Sequence, residues 1–293
     1  AAGATEVLRL LVAPGDAVVL MPPLYPPVRR WIQAVGARPV AVPLLDPAGA
    51  GRLDLDGIAR ALTNGARVVF LCHPHNPTGR VHEPAELRAL ARLAARHDAV
   101  VLTDEIHAPL TLPGHRFHPY LTVSADATAT GIALHSASKA WNLAGLKCAL
   151  AVATDPRQHA VLARLPDPWA VGHLGVLAAT AAYRDAEPWL NTLLDAITDN
   201  ITLLDELLAQ HLPEITYTPP QATYLAWLDC RALRLGDDPA AEILHHAKVA
   251  LSPGPAFGPP GAGFARLNLA CHPDLLRDAV TRMSALRPPT VPG

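Results

Sequence analysis

The stretch Leu134-His135-Ser136-Ala137-Ser138-Lys139-Ala140-Trp141-Asn142-Leu143-Ala144-Gly145-Leu146-Lys147 carries the residue types best suited to covalent chemistry. An apolar run ends, two serines bracket an alanine, one lysine follows, and the chain leaves through a small-residue turn at Ala144-Gly145. A lysine amine that loses hydration among hydroxyls and apolar neighbours has a lowered pKa and condenses with carbonyl compounds. Taken alone, the same residues also describe a surface lysine after a strand. Two upstream stretches bear on the choice, Asn76-Pro77-Thr78-Gly79 and Asp104-Glu105. Separately, the first is a turn signal and the second a common solvated pair. Each of the three, however, follows an apolar run.

Those runs are the elements that must position the chemistry. Residues 17–21, 68–72, 99–103, 131–134 and 148–153 are short and continuously apolar, the pattern of strands covered on both faces. Between them, residues 28–35, 54–62 and 84–96 have helical periodicity, with Pro84 suited to a first turn. Residues 4–13 read as an amphipathic helix with Thr5 as its N-cap, and 38–43 as a further strand. Alternating strands and helices predict a mostly parallel sheet with helices on both faces, in which ligands sit at the carboxyl ends of strands. Tyr25, Asn76, Asp104 with His107, and Ser136 to Lys139 all fall at such ends.

After Pro168 the pattern changes to two long helices, 169–183 and 188–211. The second carries Leu190, Leu193, Leu194, Ile197, Ile201, Leu204 and Leu208 on one face. Strands at 215–217, 224–228 and 263–269, with helices at 239–248 and 273–286, predict a smaller α+β domain.

Composition excludes several classes. The 293 residues are enough for a sizeable core, and with 50% hydrophobic and 17% charged residues the chain is globular. A net charge of −2 offers no basic field for nucleic acid and no polybasic membrane signal. No segment reaches the length of a membrane span, and the N-terminus lacks a basic signal-peptide region. Cys72, Cys148, Cys230 and Cys271 show no paired spacing, so free thiols in a reducing cytoplasm are the economical reading. The 14 histidines invite a metal, but Cys72, His73 and His75 flank prolines and no second ligand cluster answers them.

In order and at strand ends, Asn76-Pro77-Thr78-Gly79, Asp104-Glu105 and Ser136-Ala137-Ser138-Lys139 resemble the fold type I family of pyridoxal 5'-phosphate (PLP) enzymes, the aminotransferase class I/II group. The resemblance runs from residue 1 to about residue 285. It implies an α/β, PLP-dependent transferase-like fold with a mostly parallel central sheet, helices on both faces and a smaller C-terminal α+β domain. It divides the chain into a PLP-binding large domain, 1–185, and a small domain with its long connecting helix, 186–293. Lys139 matches the Schiff-base lysine, whose freed amine takes the substrate's α-proton. Asp104 matches the carboxylate that keeps the pyridine nitrogen protonated, and Asn76 the hydrogen-bond donor to the phenolic oxygen. His107 stands where many relatives place a tyrosine on that same oxygen. Gly3-Ala4-Thr5 matches the phosphate cradle, with backbone N–H groups, that of Ala4 included, and the Thr5 hydroxyl meeting the anion; Ser136 matches a further phosphate ligand. Tyr25 matches the aromatic that stacks on the ring. Lys147 stands where most aminotransferases place a phosphate-binding arginine, keeping the charge without the bidentate fork. Arg266 matches the clamp on the substrate α-carboxylate.

Asp104-Glu105-Ile106-His107, the stretch from Lys139 to Leu146 without a later arginine, and 71–81 resemble the MalY/PatB group of cystathionine β-lyases. That likeness implies carbon–sulfur β-elimination from L-cystathionine or a related L-cysteine S-conjugate, a small amino-acid substrate. An aminotransferase and a PLP-binding regulatory protein are the competing expectations. The family also implies a homodimer. Its members carry a further stretch ahead of the phosphate cradle, so the chain is expected to be N-terminally incomplete.

Overall fold

A computed structural model describes residues 2–49, 51–165 and 171–286 of the chain. Helix α1 (Ala2–Leu11) leads into β1 (Ala17–Leu20), α2 (Pro27–Ala34), β2 (Arg38–Ala41), α3 (Leu55–Thr63) and β3 (Val68–Cys72). Then come α4 (Pro84–Arg96), β4 (Val100–Asp104), α5 (Ala125–Thr130), β5 (Gly131–His135), β6 (Leu150–Val152) and α6 (Pro156–Leu162). The six strands lie in the order β2-β1-β3-β4-β5-β6. All pairs are parallel except β5 with β6, which is antiparallel.

The continuous apolar runs explain this sheet. Successive side chains in a strand point to opposite faces. Val69 and Leu71 of β3 join Leu87, Leu90 and Ala94 of α4 in one core, while Val68 and Phe70 join Val7 and Leu8 of α1 and Ile32 of α2 in another. Both faces are therefore covered, as the sequence predicts, and every residue of β3 is buried. Pro84 occupies the first turn of α4, where its missing N–H costs nothing. In α1 the expectation needs correcting: the helix starts at Ala2, so Thr5 lies inside the first turns and is not an N-cap.

The remaining helices α7 (His173–Asp185) and α8 (Glu187–His211) lead to β7 (Leu225–Asp229), α9 (Pro239–Ala247), β8 (Ser252–Pro253), β9 (Phe264–Asn268) and α10 (Pro273–Met283). The predicted helix over 169–183 thus starts at His173, and its positions Trp169 and Ala170 lie outside the described residues. The second sheet is antiparallel in the order β7-β9-β8. Residues 215–217 form no strand there; Thr216 makes one isolated bridge to Asp229. Helix α8 serves two cores. Leu190 and Ile197 pack with Leu110, Leu112 and Ala140, whereas Leu204 and Leu208 pack against the second sheet and α10. Asn200 of α8 donates to the Leu269 and Cys271 carbonyls, fixing the helix to the exit of β9. None of the described helices is long and apolar enough to cross a membrane.

One backbone contact ties the two sheets at the future site. The Gly79 carbonyl accepts from the Gln221 and Ala222 N–H groups at 3.0 and 2.9 Å. Gly79 has φ 69°, and a Cβ there would lie 2.3 Å from Pro220 Cβ. A side chain at this position meets both left-handed strain and a clash with stiff proline. We expect Gly79→Ala to lower unfolding free energy by about 2–4 kcal/mol, read from the urea midpoint.

Candidate active site

Strands β3, β4 and β5 are adjacent and in register, pairing Cys72 with Asp104 and Asp104 with Leu134. Neighbouring strands are about 4.8 Å apart, so the loops leaving their carboxyl ends converge. The Asn76 loop follows β3, Asp104 ends β4, and Ser136 to Lys139 follow β5.

The Asn76 loop is held from below by side chains. The His75 N–H donates to the Arg80 carbonyl at 2.8 Å, and a His75 ring nitrogen pairs with the Thr78 hydroxyl at 2.9 Å. His82 and Arg80 both reach the Glu86 carboxylate, at 3.2 and 3.0 Å. His73, His75 and His82 are all buried behind this loop. Among the described residues no group of three or more metal-ligating side chains is arranged to hold an ion.

Lys139 is half-buried, and burial followed by the nearby Arg266 charge lowers its pKa, with Asp104 opposing. The side chain carries no salt bridge to a described residue. Arg266 reaches the site from β9 in the second sheet. It donates to Asn76 Oδ1 at 2.9 Å and to the Ser252 hydroxyl at 3.1 Å, with its guanidinium 4.9 Å over the Phe257 ring. Burial lowers its pKa too, and the Tyr224 and Tyr25 hydroxyls nearby oppose that.

Asp104 is half-buried; burial raises its pKa, while a 3.3 Å hydrogen bond from the Ile106 N–H and the Lys139 charge oppose. No described cation forms a salt bridge with it. His107 is 3% exposed, with Tyr224 edge-on at 6.0 Å. Burial, then the Lys139 and Arg266 charges, holds its pKa down to about 3, so the ring is neutral. Its Nδ1 is buried with no hydrogen-bond partner among the described residues.

These features fit PLP. A carboxylate with no salt bridge among the described residues suits a protonated pyridine nitrogen, and an imidazole nitrogen with no described hydrogen-bond partner suits a further polar group in the site. An amine with a lowered pKa suits an aldehyde. The first turn of α1, whose Gly3 and Ala4 N–H groups have no intrahelical partner, suits an anion. That turn abuts the chain beyond Lys139, since a Cβ on Gly3 would stand 4.0 Å from Ala149 Cβ.

Some expected ligands are engaged otherwise. The Ser136 hydroxyl donates to the Cys148 carbonyl and accepts from the Ser138 N–H, so meeting a phosphate requires it to release that carbonyl. Lys147 is exposed, in a left-handed turn of φ 53°. Tyr25 is half-buried, with Trp31 edge-on at 6.0 Å. Sequence reasoning missed Tyr224, Ser252 and Phe257, which surround Arg266. Tyr224 carried one available signal, a polar aromatic at the entrance to an apolar strand; Ser252 and Phe257 carried none.

The buried imidazoles set the acid stability of the cofactor-free protein. His73, His75 and His107 have pKa values lowered from 6.5 to about 3, chiefly by burial. Below 6.5 the unfolded chain takes up three protons that the folded one refuses, so stability falls as pH falls. Glu105, raised by burial to about 7, opposes with one proton down to its ordinary value of 4.5. Asp104, raised by burial, opposes as well, and His135, lowered by burial, adds; the balance predicts a loss of about 1–3 kcal/mol per pH unit at its steepest. Urea titrations between about pH 7 and about pH 5 check the sign and the slope.

Comparison with known proteins bears on this geometry. The family model described as aminotransferase class I and II matches residues 1–283. A Mycobacterium tuberculosis protein named "Putative cystathionine beta-lyase" is 45% identical over 309 residues, covering 96% of this chain and 74% of its own. Cystathionine beta-lyase PatB of Bacillus subtilis is 34% identical, covering 95% of this chain and 73% of its own. A solved structure from Corynebacterium diphtheriae, described as a putative PLP-dependent beta-cystathionase, superposes with TM-score 0.88 at 34% identity, covering 97% of this chain and 74% of that one.

Proposed function

Because the chain belongs to the aminotransferase class I and II family, we propose that it is a PLP-dependent carbon–sulfur β-lyase. Its substrate is L-cystathionine or a related L-cysteine S-conjugate, which with one water gives a thiol, pyruvate and ammonia. The observation that carries this is the meeting of a half-buried Lys139 of lowered pKa with Arg266 and the Asp104 carboxylate, which has no salt bridge among the described residues, in a chain whose similar relatives include cystathionine β-lyases.

PLP, when bound, supplies an aldehyde carbon that condenses with amines and a pyridinium ring that withdraws electrons. Lys139 would hold that carbon, and its free amine would take the α-proton on Nζ. The Arg266 charge favours the neutral amine needed for that task. Arg266 itself grips the α-carboxylate with its planar fork. Asp104 would keep a proton on the ring nitrogen, Asn76 and neutral His107 would serve the phenolic oxygen, and Tyr25 would cover the ring face. The Ala4 N–H, Thr5, Ser136 and Lys147 attend the phosphate, Lys147 after its side chain turns inward from solvent. With the α-proton on Lys139, the β-carbon–sulfur bond breaks and the thiolate departs.

The core of Leu204 and Leu208 with the second sheet and α10, distinct from the two cores on the faces of the large sheet, supports a division into residues 1–185 and 186–293, with the first half of α8 as the connection that packs on the large domain. A homodimer is the proposed assembly, supported by exposed apolar side chains on α7 (Leu174, Leu177) and on the edge strand β6 (Leu150, Val152). Four free cysteines support a reducing cytoplasm.

Transamination is the second reading, favoured by the family description itself. Incubating the PLP-loaded protein with L-cystathionine and no keto acid separates the two. Pyruvate and homocysteine in equal amounts are expected. Amine transfer that begins only when a keto acid is added would replace the lyase reading with the transaminase one.

A further inference from the structure

A cleft opens between the loop after β1 and the turn before β9. Pro22, Leu24 and Tyr25 form one wall, Phe257, Gly258 and Pro259 the other, and Arg29 of α2 stands on the lining. The walls are fixed to each other: the Leu24 N–H donates to the Phe257 carbonyl at 2.9 Å, and a Cβ on Gly258 would lie 3.0 Å from Pro22 Cβ. The cleft adjoins the substrate-binding arginine through shared residues. Phe257 walls it and also carries the Arg266 guanidinium at 4.9 Å, and Tyr25 lies within electrostatic reach of Arg266. Its lining is otherwise apolar, with prolines and a phenylalanine suited to methylene groups. Arg29 is the one charged residue among the described residues of the lining; it is exposed, and no described carboxylate pairs with it.

From this we propose that the cleft holds the group borne on the substrate's sulfur, and that Arg29 selects conjugates whose far end is a carboxylate. The inference rests on the β-lyase reading above. A planar carboxylate suits the guanidinium fork. An ammonium on the same distal group finds no acidic residue on the lining to receive it. The favoured substrate class is therefore an L-cysteine conjugate with a short aliphatic substituent ending in a carboxylate and carrying no distal amine. Because Arg29 is exposed, its preference is modest.

Three conjugates test this: S-carboxypropyl-L-cysteine, which is cystathionine without its distal amino group, L-cystathionine, and S-butyl-L-cysteine. For the PLP-loaded enzyme, kcat/KM is expected to be highest for the carboxypropyl compound, about fivefold above the butyl one, with the difference in KM. In Arg29→Gln that ratio falls to about one, whereas Arg30→Gln, one residue on and off the lining, retains it. Calorimetric titration of PLP-saturated Lys139→Ala protein reads the same ranking as binding, without turnover. A ranking present in binding with no thiol released by the wild type would sink the lyase reading and leave the subsite standing. A butyl compound that binds as tightly as the carboxypropyl one, or a preference that survives Arg29→Gln, overturns the subsite.

Discussion

Replacing Lys139 with alanine lowers thiol release from cystathionine by at least about a thousandfold. Two losses combine in this one change. In the proposed mechanism it takes away both the amine that would condense with the cofactor's aldehyde and the base that would collect the α-proton. Position 139 is also the place where the protein has lowered an amine's pKa by burial and by the Arg266 charge. No other lysine shares that setting, since Lys147 is exposed and Lys248 donates to the His245 carbonyl. The change removes a half-buried, unpaired side chain, so the folded state should lose little, and the thermal midpoint should move by only a few degrees. Visible absorbance of wild-type protein mixed with PLP, shifted from that of free PLP and unshifted in Lys139→Ala, is the companion measurement. If the variant released thiol at even a tenth of the wild-type rate, Lys139 would not be the base.

Asp104→Asn is the second large effect, and it acts at a distance from the bond that breaks. The carboxylate is isosteric with the amide, ends β4 between two paired strands, and faces no described cation in a salt bridge. Held beside a bound ring nitrogen, that anion would, at an effective dielectric constant near 20, favour the protonated ring by several kcal/mol. Removing it lowers the ring's pKa by several units, and with it the capacity to accept electrons from the α-carbon. We expect kcat to fall by about a thousandfold. Folding responds in the opposite direction, because burial already disfavours the Asp104 charge and a neutral amide is cheaper to bury. Unchanged or raised stability together with collapsed turnover is the signature; a variant within tenfold of wild type would remove Asp104 from the mechanism.

The large sheet was legible because its strands, covered on both faces, leave a continuous apolar imprint. Residues 68–72 and 84–96 were placed to the residue, the latter helped by Pro84 at its first turn. Where several weak local signals compete, the reading slipped. Thr5 looked like an N-cap, yet α1 begins at Ala2. Residues 215–217 have strand composition but too little to pair with. Helix α6 escaped notice even though Asp155 caps it and Pro156 occupies its first turn. The site divides in the same way. Asn76, Asp104 and Lys139 announce themselves because each closes a strand and sits in a short motif. The surroundings of Arg266 do not, because Asn76 is 190 residues away from it in the chain and Ser252 meets it only through the pairing of β8 with β9. No local pattern encodes a contact of that range.

That contact between Arg266 and Asn76 has a bearing on which amines the protein turns away. An arginine kept bare for its ligand would make an amine without a carboxylate pay for a stranded charge. Here the guanidinium already has an amide oxygen, a hydroxyl and an aromatic face to lean on. An arriving carboxylate trades places with partners already present, and a ligand lacking one strands nothing. Exclusion of simple amines is consequently an exchange between satisfied states, milder than the penalty for an unpaired buried charge. If Arg266 receives the substrate carboxylate as proposed, weak exclusion of decarboxylated amines is the expected result, and Asn76→Ala, which removes one resting partner of Arg266, is expected to sharpen it, read as the ratio of KM values.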